Sequence, residues 1–284
     1  MKKVIITGAN GQLGRAVNQQ YAGSGEYELI NTDVGELDIT NIDKVMEFVR
    51  DVKPYAIVNC AAYTAVDACE KEEDLAFRIN AIGPRNLSIA ATETGARMMH
   101  VSTDYVFDGN GTRPYLETDP TGPQGAYGRT KLAGENFVRE FSNRHYIIRT
   151  AWLYGDGRNF VKTMLKLSET HDTVSVVDDQ FGSPTSAVEL AKMIHFLEPT
   201  ENYGTYHATC EGQCSWAEFA SELFKKAGKD TKVNYVTTEE YNSPTKRPAY
   251  SVLDNYMLRL VAGDAFVMAD WKDALDVYMK DICQ

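Results

Sequence analysis

The chain reads as an α/β protein of the doubly wound, Rossmann kind: a parallel sheet with helices on both faces and a smaller C-terminal substrate lobe. Three observations predict it. A short apolar strand, 4–7, runs into Gly8-Ala-Asn-Gly11-Gln-Leu-Gly14 and then into a helix. An acid, Asp33, closes the next strand nineteen residues beyond Gly14. Apolar strands then alternate with helical patterns through 56–62, 98–103 and 145–150.

Glycines in the first turn let the backbone bend tightly and approach a pyrophosphate, whose charge the following helix N-terminus favours. The spacing is G-x-x-G-x-x-G, and taken alone it marks only a strand-to-helix turn. Its context makes it a dinucleotide site: strand before, helix after (Leu13, Val17 and Tyr21 on one face), then Asp33. A carboxylate there binds a ribose 2′-hydroxyl and repels a 2′-phosphate, so NAD(H) is favoured. Arg15 could pair with such a phosphate, which keeps NADP(H) open.

Next comes Leu37-Asp38-Ile39-Thr40. Asp38 and Ile39 either end a short strand or lie against an adenine, and Thr40 is the expected N-cap of a helix with Asp43 in its first turn. The strand 56–62 ends in Ala61-Ala62-Tyr63-Thr64, where small residues would let a cofactor lie close to the backbone. A long helix should follow with Leu75, Ile79, Ile82 and Leu87 inward, Asn80 a polar residue among apolar neighbours whose bland reading is a polar-face position, and a bend or break near Gly83-Pro84.

Ser102, Thr103 and Asp104 close the strand 98–103 and point at the pocket, because ligands of open α/β sheets sit at the carboxyl ends of strands. Residues 108–126, rich in Gly and Pro, form a long loop of the kind that usually has a function. Tyr127 and Lys131 then sit four residues apart on one helix face. A phenol titrates near pH ~10, and a neighbouring ammonium should lower that value and make it a usable proton donor.

After the strand 145–150 the alternation loosens. The expected elements are a helix opened by Asn159, a strand 174–177, a binding loop 178–185, a helix 187–197 and a strand 203–209. Ser215-Trp-Ala-Glu218 is a capping box, Lys246-Arg-Pro248 sits in an irregular stretch, and 270–282 is an amphipathic helix. The expected division is a dinucleotide-binding domain over 1–151, to which 186–210 return, and a substrate lobe from 152–185 and 211–284.

Bulk properties narrow the function further. With 284 residues, 43% of them hydrophobic, the chain can bury a large core. A net charge of −11 with no basic run disfavours nucleic acid and membrane surfaces as partners. No apolar stretch approaches the ~20 residues that span a bilayer. Five scattered cysteines (Cys60, Cys69, Cys210, Cys214, Cys283) suit reduced thiols in the cytoplasm, and Cys210 with Cys214 lacks a second pair to complete a metal site.

These residues resemble the extended short-chain dehydrogenase/reductases, most closely the dTDP-4-dehydrorhamnose reductases, over almost the whole chain. The resemblance rests on Thr7–Gly14, Asn59–Asp67, Val101-Ser-Thr-Asp-Tyr-Val-Phe-Asp-Gly109, Tyr127–Glu135, Arg149–Gly155 and Phe181-Gly-Ser-Pro-Thr185. Related dehydratases carry Thr-Asp-Glu where this chain has Thr103-Asp104-Tyr105, so simple reduction is favoured over loss of water.

The resemblance implies reduction of the 4-ketone of dTDP-4-dehydro-6-deoxy-L-mannose, a nucleotide-sugar substrate, to dTDP-L-rhamnose. Tyr127 would protonate the oxygen, Thr103 would hydrogen-bond it, and Lys131 would bind the nicotinamide ribose and hold the tyrosine's pKa down. It implies sugar contacts at Asp104 and Trp152. Cofactor contacts fall at Gly8, Asn10, Gly11, Gln12, Leu13, Gly14, Asp33, Asp38, Ile39, Ala61, Ala62, Tyr63 and Thr64. Some relatives bridge a homodimer through a divalent metal, using an acid just after the Gly-rich turn. Here Arg15-Ala-Val17 has no carboxylate, although Glu189 could supply a partner; no metal is expected, and a homodimer is left open. The rivals are a sugar-nucleotide epimerase of the same superfamily and a regulatory subunit without turnover.

Overall fold

Successive side chains of a strand point to opposite faces, and in this chain both sets are apolar, which requires a covered sheet. The computed structural model describes residues 1–242, 245 and 247–282, so Lys246 and Cys283 lie outside the described residues. Its central sheet comprises β1 (Lys2–Thr7), β2 (Tyr27–Thr32), β3 (Ala56–Asn59), β4 (Arg97–Thr103), β5 (His145–Thr150) and β6 (Gly204–His207). All are parallel, in the order β6-β5-β4-β3-β1-β2. The order reverses between β1 and β3, the switch point at which a doubly wound sheet opens a ligand crevice.

Five helices cover it: α1 (Gln12–Ala22), α2 (Ile42–Val52), α3 (Gly83–Thr94), α4 (Ala126–Phe141) and α5 (Ala187–Leu197). Val4, Ile6, Val58 and Ile148 pack on one face with α1 and α5. Ile5, Ile57, Met98 and Ile147, one residue out of phase, pack on the other with α2, α3 and α4. A separate core gathers Tyr154, Val161, Val174, Phe219, Leu223, Trp271 and Leu275 from the short strand Leu153–Tyr154, the helices Phe160–Ser168, Trp216–Lys226 and Trp271–Ile282 and the strand Thr173–Val177, which pairs with Lys232–Val236.

Several local expectations change. The cap of α2 is Asn41, whose side chain accepts from the Lys44 amide at 3.1 Å, while the Thr40 hydroxyl donates to Asp38. The long helix expected from Leu75 onward is instead Glu73–Phe77, a π-helical turn Arg78–Ile82, and α3. The wider π turn breaks the 3.6-residue register, so Leu75 faces solvent at 44% exposure and Asn80 turns fully inward. Asn80 then accepts from the Tyr63 amide at 2.8 Å and donates to the Tyr63 carbonyl and the Thr130 hydroxyl, tying the end of β3 to α4.

Candidate active site

The carboxyl ends of β1, β3, β4 and β5 open on one side of the sheet, and two adjoining cavities lie there. The larger, about 550 Å³, is lined by Gly11, Gln12, Leu13, Gly14, Ala62, Thr64, Thr103, Asp104, Tyr127, Lys131 and Trp152 among others. The smaller, about 300 Å³, is lined by Gly8, Asp33, Asp38, Ile39 and Ala61. Gly11, Cys60 and Ala62 border both, so the two form one elongated trough across the switch point.

The turn between β1 and α1 suits an anion. Gly8 has φ +64°, and a Cβ on it would stand 2.8 Å from the Ala61 backbone. A Cβ on Gly14 would stand 2.3 Å from the Gly8 carbonyl oxygen. No side chain caps α1 and its first turn carries no acid, so its amides and positive end face the trough. Asp33 accepts from the amides of Asn10 (3.3 Å) and Val34 (2.9 Å) at the rim of the smaller cavity. The Arg15 guanidinium is engaged with the Asn10 carbonyl and with Asp156, a 3.0 Å ion pair.

Tyr127 and Lys131 lie on α4, one turn apart. Lys131 is buried, and its ammonium donates to the Val101 carbonyl at 2.6 Å. Burial lowers its pKa to about 8, opposed by the Glu135 carboxylate one turn farther along. Tyr127 moves the other way from the expectation: its phenol is pushed above 10 by burial, with the Thr103 hydroxyl opposing and the charges of Asp104 and Tyr105 adding. The Tyr105 ring packs edge-on to Tyr127 with centroids 5.4 Å apart.

Thr103 ends β4 and donates to Asp104 Oδ1 at 2.8 Å. Asp104 is buried, its second oxygen has no hydrogen-bond partner, and burial raises its pKa to about 6 against the pull of Ser251 and Thr103. Ser102 borders the cavity, yet its hydroxyl donates to Glu135 at 2.6 Å. Glu135 in turn takes a two-pronged bond from Arg149 at 2.8 and 2.9 Å. Arg149 and the other cations around Glu135 overcome the effect of burial and hold its carboxyl below the usual range.

Across the trough Trp152 adopts φ +48°, a left-handed conformation costly for a bulky residue, and stacks on Trp216 at 3.6 Å. A Cβ on Gly182 would stand 2.4 Å from the Trp152 ring, so the indole is sandwiched. Phe160 packs on Trp216 with centroids 4.6 Å apart, completing an aromatic wall.

Two expected cofactor residues do not line either cavity. Asn10 points its backbone at Asp33, and Tyr63 is engaged with Asn80 and, through its hydroxyl, with Glu72. Conversely Cys60, Tyr105, Phe160, Trp216 and Arg247 line the larger cavity without having been singled out for it. Trp216 follows the recognised cap Ser215, and Arg247 lay in a stretch noted only as irregular. Of the residues discussed for a metal, Glu189 pairs with Lys192 at 2.6 Å. Among the described residues no cluster of His, Cys, Asp and Glu could hold a metal ion, and Cys60, Cys69, Cys210 and Cys214 are free thiols. Among the described residues no helix is long and apolar enough to cross a membrane.

A family model described as the RmlD substrate binding domain matches residues 1–283. A spore coat polysaccharide biosynthesis protein, SpsK, of Bacillus subtilis is 43% identical, over 99% of this chain and 98% of its own. A crystal structure of a dTDP-4-dehydrorhamnose reductase from Clostridium acetobutylicum is 53% identical, with a TM-score of 0.97, covering 99% of this chain and 100% of that one. A Bacillus anthracis dTDP-4-dehydrorhamnose reductase in complex with NADP is 45% identical, with a TM-score of 0.95 and the same coverage.

Proposed function

The chain belongs to the RmlD substrate binding domain family, and from that premise we propose how its residues carry out the family's reaction. The protein is an oxidoreductase that reduces the 4-keto group of dTDP-4-dehydro-6-deoxy-L-mannose to give dTDP-L-rhamnose, using a reduced nicotinamide dinucleotide. When bound, that cofactor supplies the hydride for carbon 4 of the sugar.

This chain's own residues manage the oxygen. Tyr127 delivers a proton to it as negative charge develops, and the Thr103 hydroxyl turns its one proton from Asp104 to the same atom. A phenol with a raised pKa remains protonated at neutral pH and is the correct form for that donation. Lys131 holds the nicotinamide ribose. Trp152 and Asp104 hold the sugar, the indole against its apolar face and the carboxyl at its hydroxyls. The single observation that carries the reading is that Thr103, Tyr127, Lys131 and Trp152 line one cavity with the turn of α1.

The dinucleotide would lie along the trough, its pyrophosphate held at the α1 turn by Gly8, Gly11, Gln12, Leu13 and Gly14, with Asn10 supporting Asp33 from behind through its amide. Asp33, Asp38, Ile39 and Ala61 would hold its adenosine half, and Ala62 and Thr64 its nicotinamide half, with Tyr63 tied behind them to Asn80. We place NAD(H) first, because Asp33 can take a ribose hydroxyl while Arg15 is engaged by Asp156. The B. anthracis relative's bound NADP is the reason to test both. Residues 1–151 with 186–210 form the dinucleotide-binding domain, and 152–185 with 211–284 the substrate lobe; the pairing of β6 with β5 supports this division. NADH and NADPH oxidation with the dTDP-4-keto-6-deoxy-L-sugar is the direct assay. Tyr127→Phe should retain cofactor binding and lose about 10²–10⁴-fold in kcat; normal turnover in that variant would overturn the assignment.

A further inference from the structure

A hydroxyl has one proton to give, and Thr103 spends it on Asp104 Oδ1 at 2.8 Å. Its oxygen is held by the Tyr105 amide at 3.2 Å, so the group turns toward a ketone without leaving its place. That turn removes the donor from Oδ1 of a buried carboxyl whose Oδ2 has no partner to begin with. A buried carboxylate with no donor is costly, so a replacement must be at hand or Thr103 stays where it is. The charged and titratable groups around it are committed elsewhere. Lys131 donates to Val101, Arg149 to Glu135, and Arg247 faces Asp67 and the Tyr105 hydroxyl. The Tyr127 phenol, which also faces Asp104, is needed by the substrate.

The segment 249–254 brings the missing donor. It runs between two loops of the site and is fixed to both through its backbone. On one side the Phe181 amide donates to the Ala249 carbonyl at 2.9 Å and the Ser251 amide to the Phe181 carbonyl at 2.8 Å. On the other the Tyr250 amide donates to Gly109 at 3.0 Å and the Tyr115 amide to Val252 at 2.9 Å. This register sets Ser251, only 3% exposed, with its hydroxyl in reach of the Asp104 carboxyl. The hydroxyl's other acceptor is the Phe181 carbonyl at 3.4 Å, near the outer limit of a hydrogen bond. That carbonyl already holds the Ser251 amide, so it is not orphaned when the hydroxyl turns away.

Resting on the reductase reading above, we propose that Ser251 is a positioning residue for the reduction: as Thr103 turns from Asp104 to the ketone oxygen, the Ser251 hydroxyl turns from Phe181 to Asp104 and replaces it. Two hydroxyls rotate and no covalent bond changes. Asp104 keeps a donor throughout, so its charge does not hold Thr103 back and stays available to a hydroxyl of the sugar.

The test is reduction of the dTDP-4-keto-6-deoxy-L-sugar by wild type, Ser251→Ala, Ser251→Thr, Asp104→Asn and the double variant Ser251→Ala/Asp104→Asn, with dinucleotide binding measured on each. Ser251→Ala should lower kcat about tenfold, the effect of one hydrogen bond to a charged group, and leave dinucleotide affinity unchanged. It should also move the acid limb of kcat/KM to higher pH, because a carboxylate that loses a donor holds its proton more tightly. Ser251→Thr should restore both properties. In the Asp104→Asn background, Ser251→Ala should cost almost nothing further, since no charge remains to be stabilised. Wild-type kcat in a folded Ser251→Ala protein would overturn the proposal, as would an unmoved acid limb or the same loss in both backgrounds. If the wild-type chain failed to reduce the ketone, the reductase reading would fall. NMR titration of the Asp104 carboxyl needs no substrate and decides the Ser251 contact in either case: a higher midpoint in Ser251→Ala supports it, and an unchanged midpoint overturns it.

Discussion

Burial lowers the Lys131 pKa from 10.5 to about 8, so its ammonium opposes folding at neutral pH. The sign follows from linkage: between pH 8 and 10.5 the unfolded chain holds a proton that the folded one has lost, so stability rises with pH across that window. Below it the folded state carries the full penalty. Lys131→Met should therefore raise Tm at pH 7 by about 2–4 °C while cutting turnover, and the gain should shrink toward pH ~10. A difference in Tm that did not change with pH would point away from the buried charge. Asp104 shows the same tension in a carboxyl group, buried with one oxygen unpartnered in the cavity wall. Groups held this way at a cavity mark a site whose chemistry is favoured over local stability.

At the level of elements, the turn joining β1 to α1 is held by close backbone approach. Gly14→Ala would bring a Cβ to 2.3 Å from the Gly8 carbonyl, a contact with backbone that a rotamer change cannot relieve. We expect roughly 1–3 kcal/mol of destabilisation and at least tenfold weaker dinucleotide binding. Thermal melting and a cofactor titration would check it; unchanged affinity would mean that the turn relaxes without disturbing the phosphate site. The π turn at Arg78–Ile82 does comparable work, because turning Asn80 inward fixes Tyr63 and Thr130 together. Without it, the end of β3 and the helix bearing Tyr127 would have no shared polar anchor at that point.

Across the whole molecule, the trough draws its walls from around both cores: Gln12, Thr103 and Lys131 beside the sheet, Trp152, Phe160 and Trp216 beside the second core. A ligand in it binds only the folded arrangement and stabilises it by mass action. At one hundred times its dissociation constant, NADH or NADPH should add about 2.7 kcal/mol, which raises Tm by roughly 5–10 °C for a chain of this size. Absence of a shift with either cofactor, at concentrations that saturate turnover, would disprove a dinucleotide site in the trough.

Much of this was legible in the linear chain. Strand apolarity, the Gly-rich turn, Asp33 and the pair Tyr127/Lys131 are local signals, and local signals predict the parallel sheet and the chemistry at its carboxyl edge. The α2 cap slipped by one residue to Asn41 because Thr40 and Asn41 offer the same kind of side chain to the same amides. Leu75 lost its inward place because a π turn adds a residue to the register, and nothing in a 3.6-residue pattern announces it. The upward shift of Tyr127 followed from burial, a property of the assembled fold. Trp216, Phe160 and Arg247 come from distant parts of the chain, and only packing brings them to Trp152 and Tyr105. The sequence by itself determined the sheet, the Gly-rich turn and the residue types proposed to react, since each depends on neighbours within a few positions. Tertiary structure decided which side chains share the cavity and what charge each carries, since distance and burial exist only once the chain is folded.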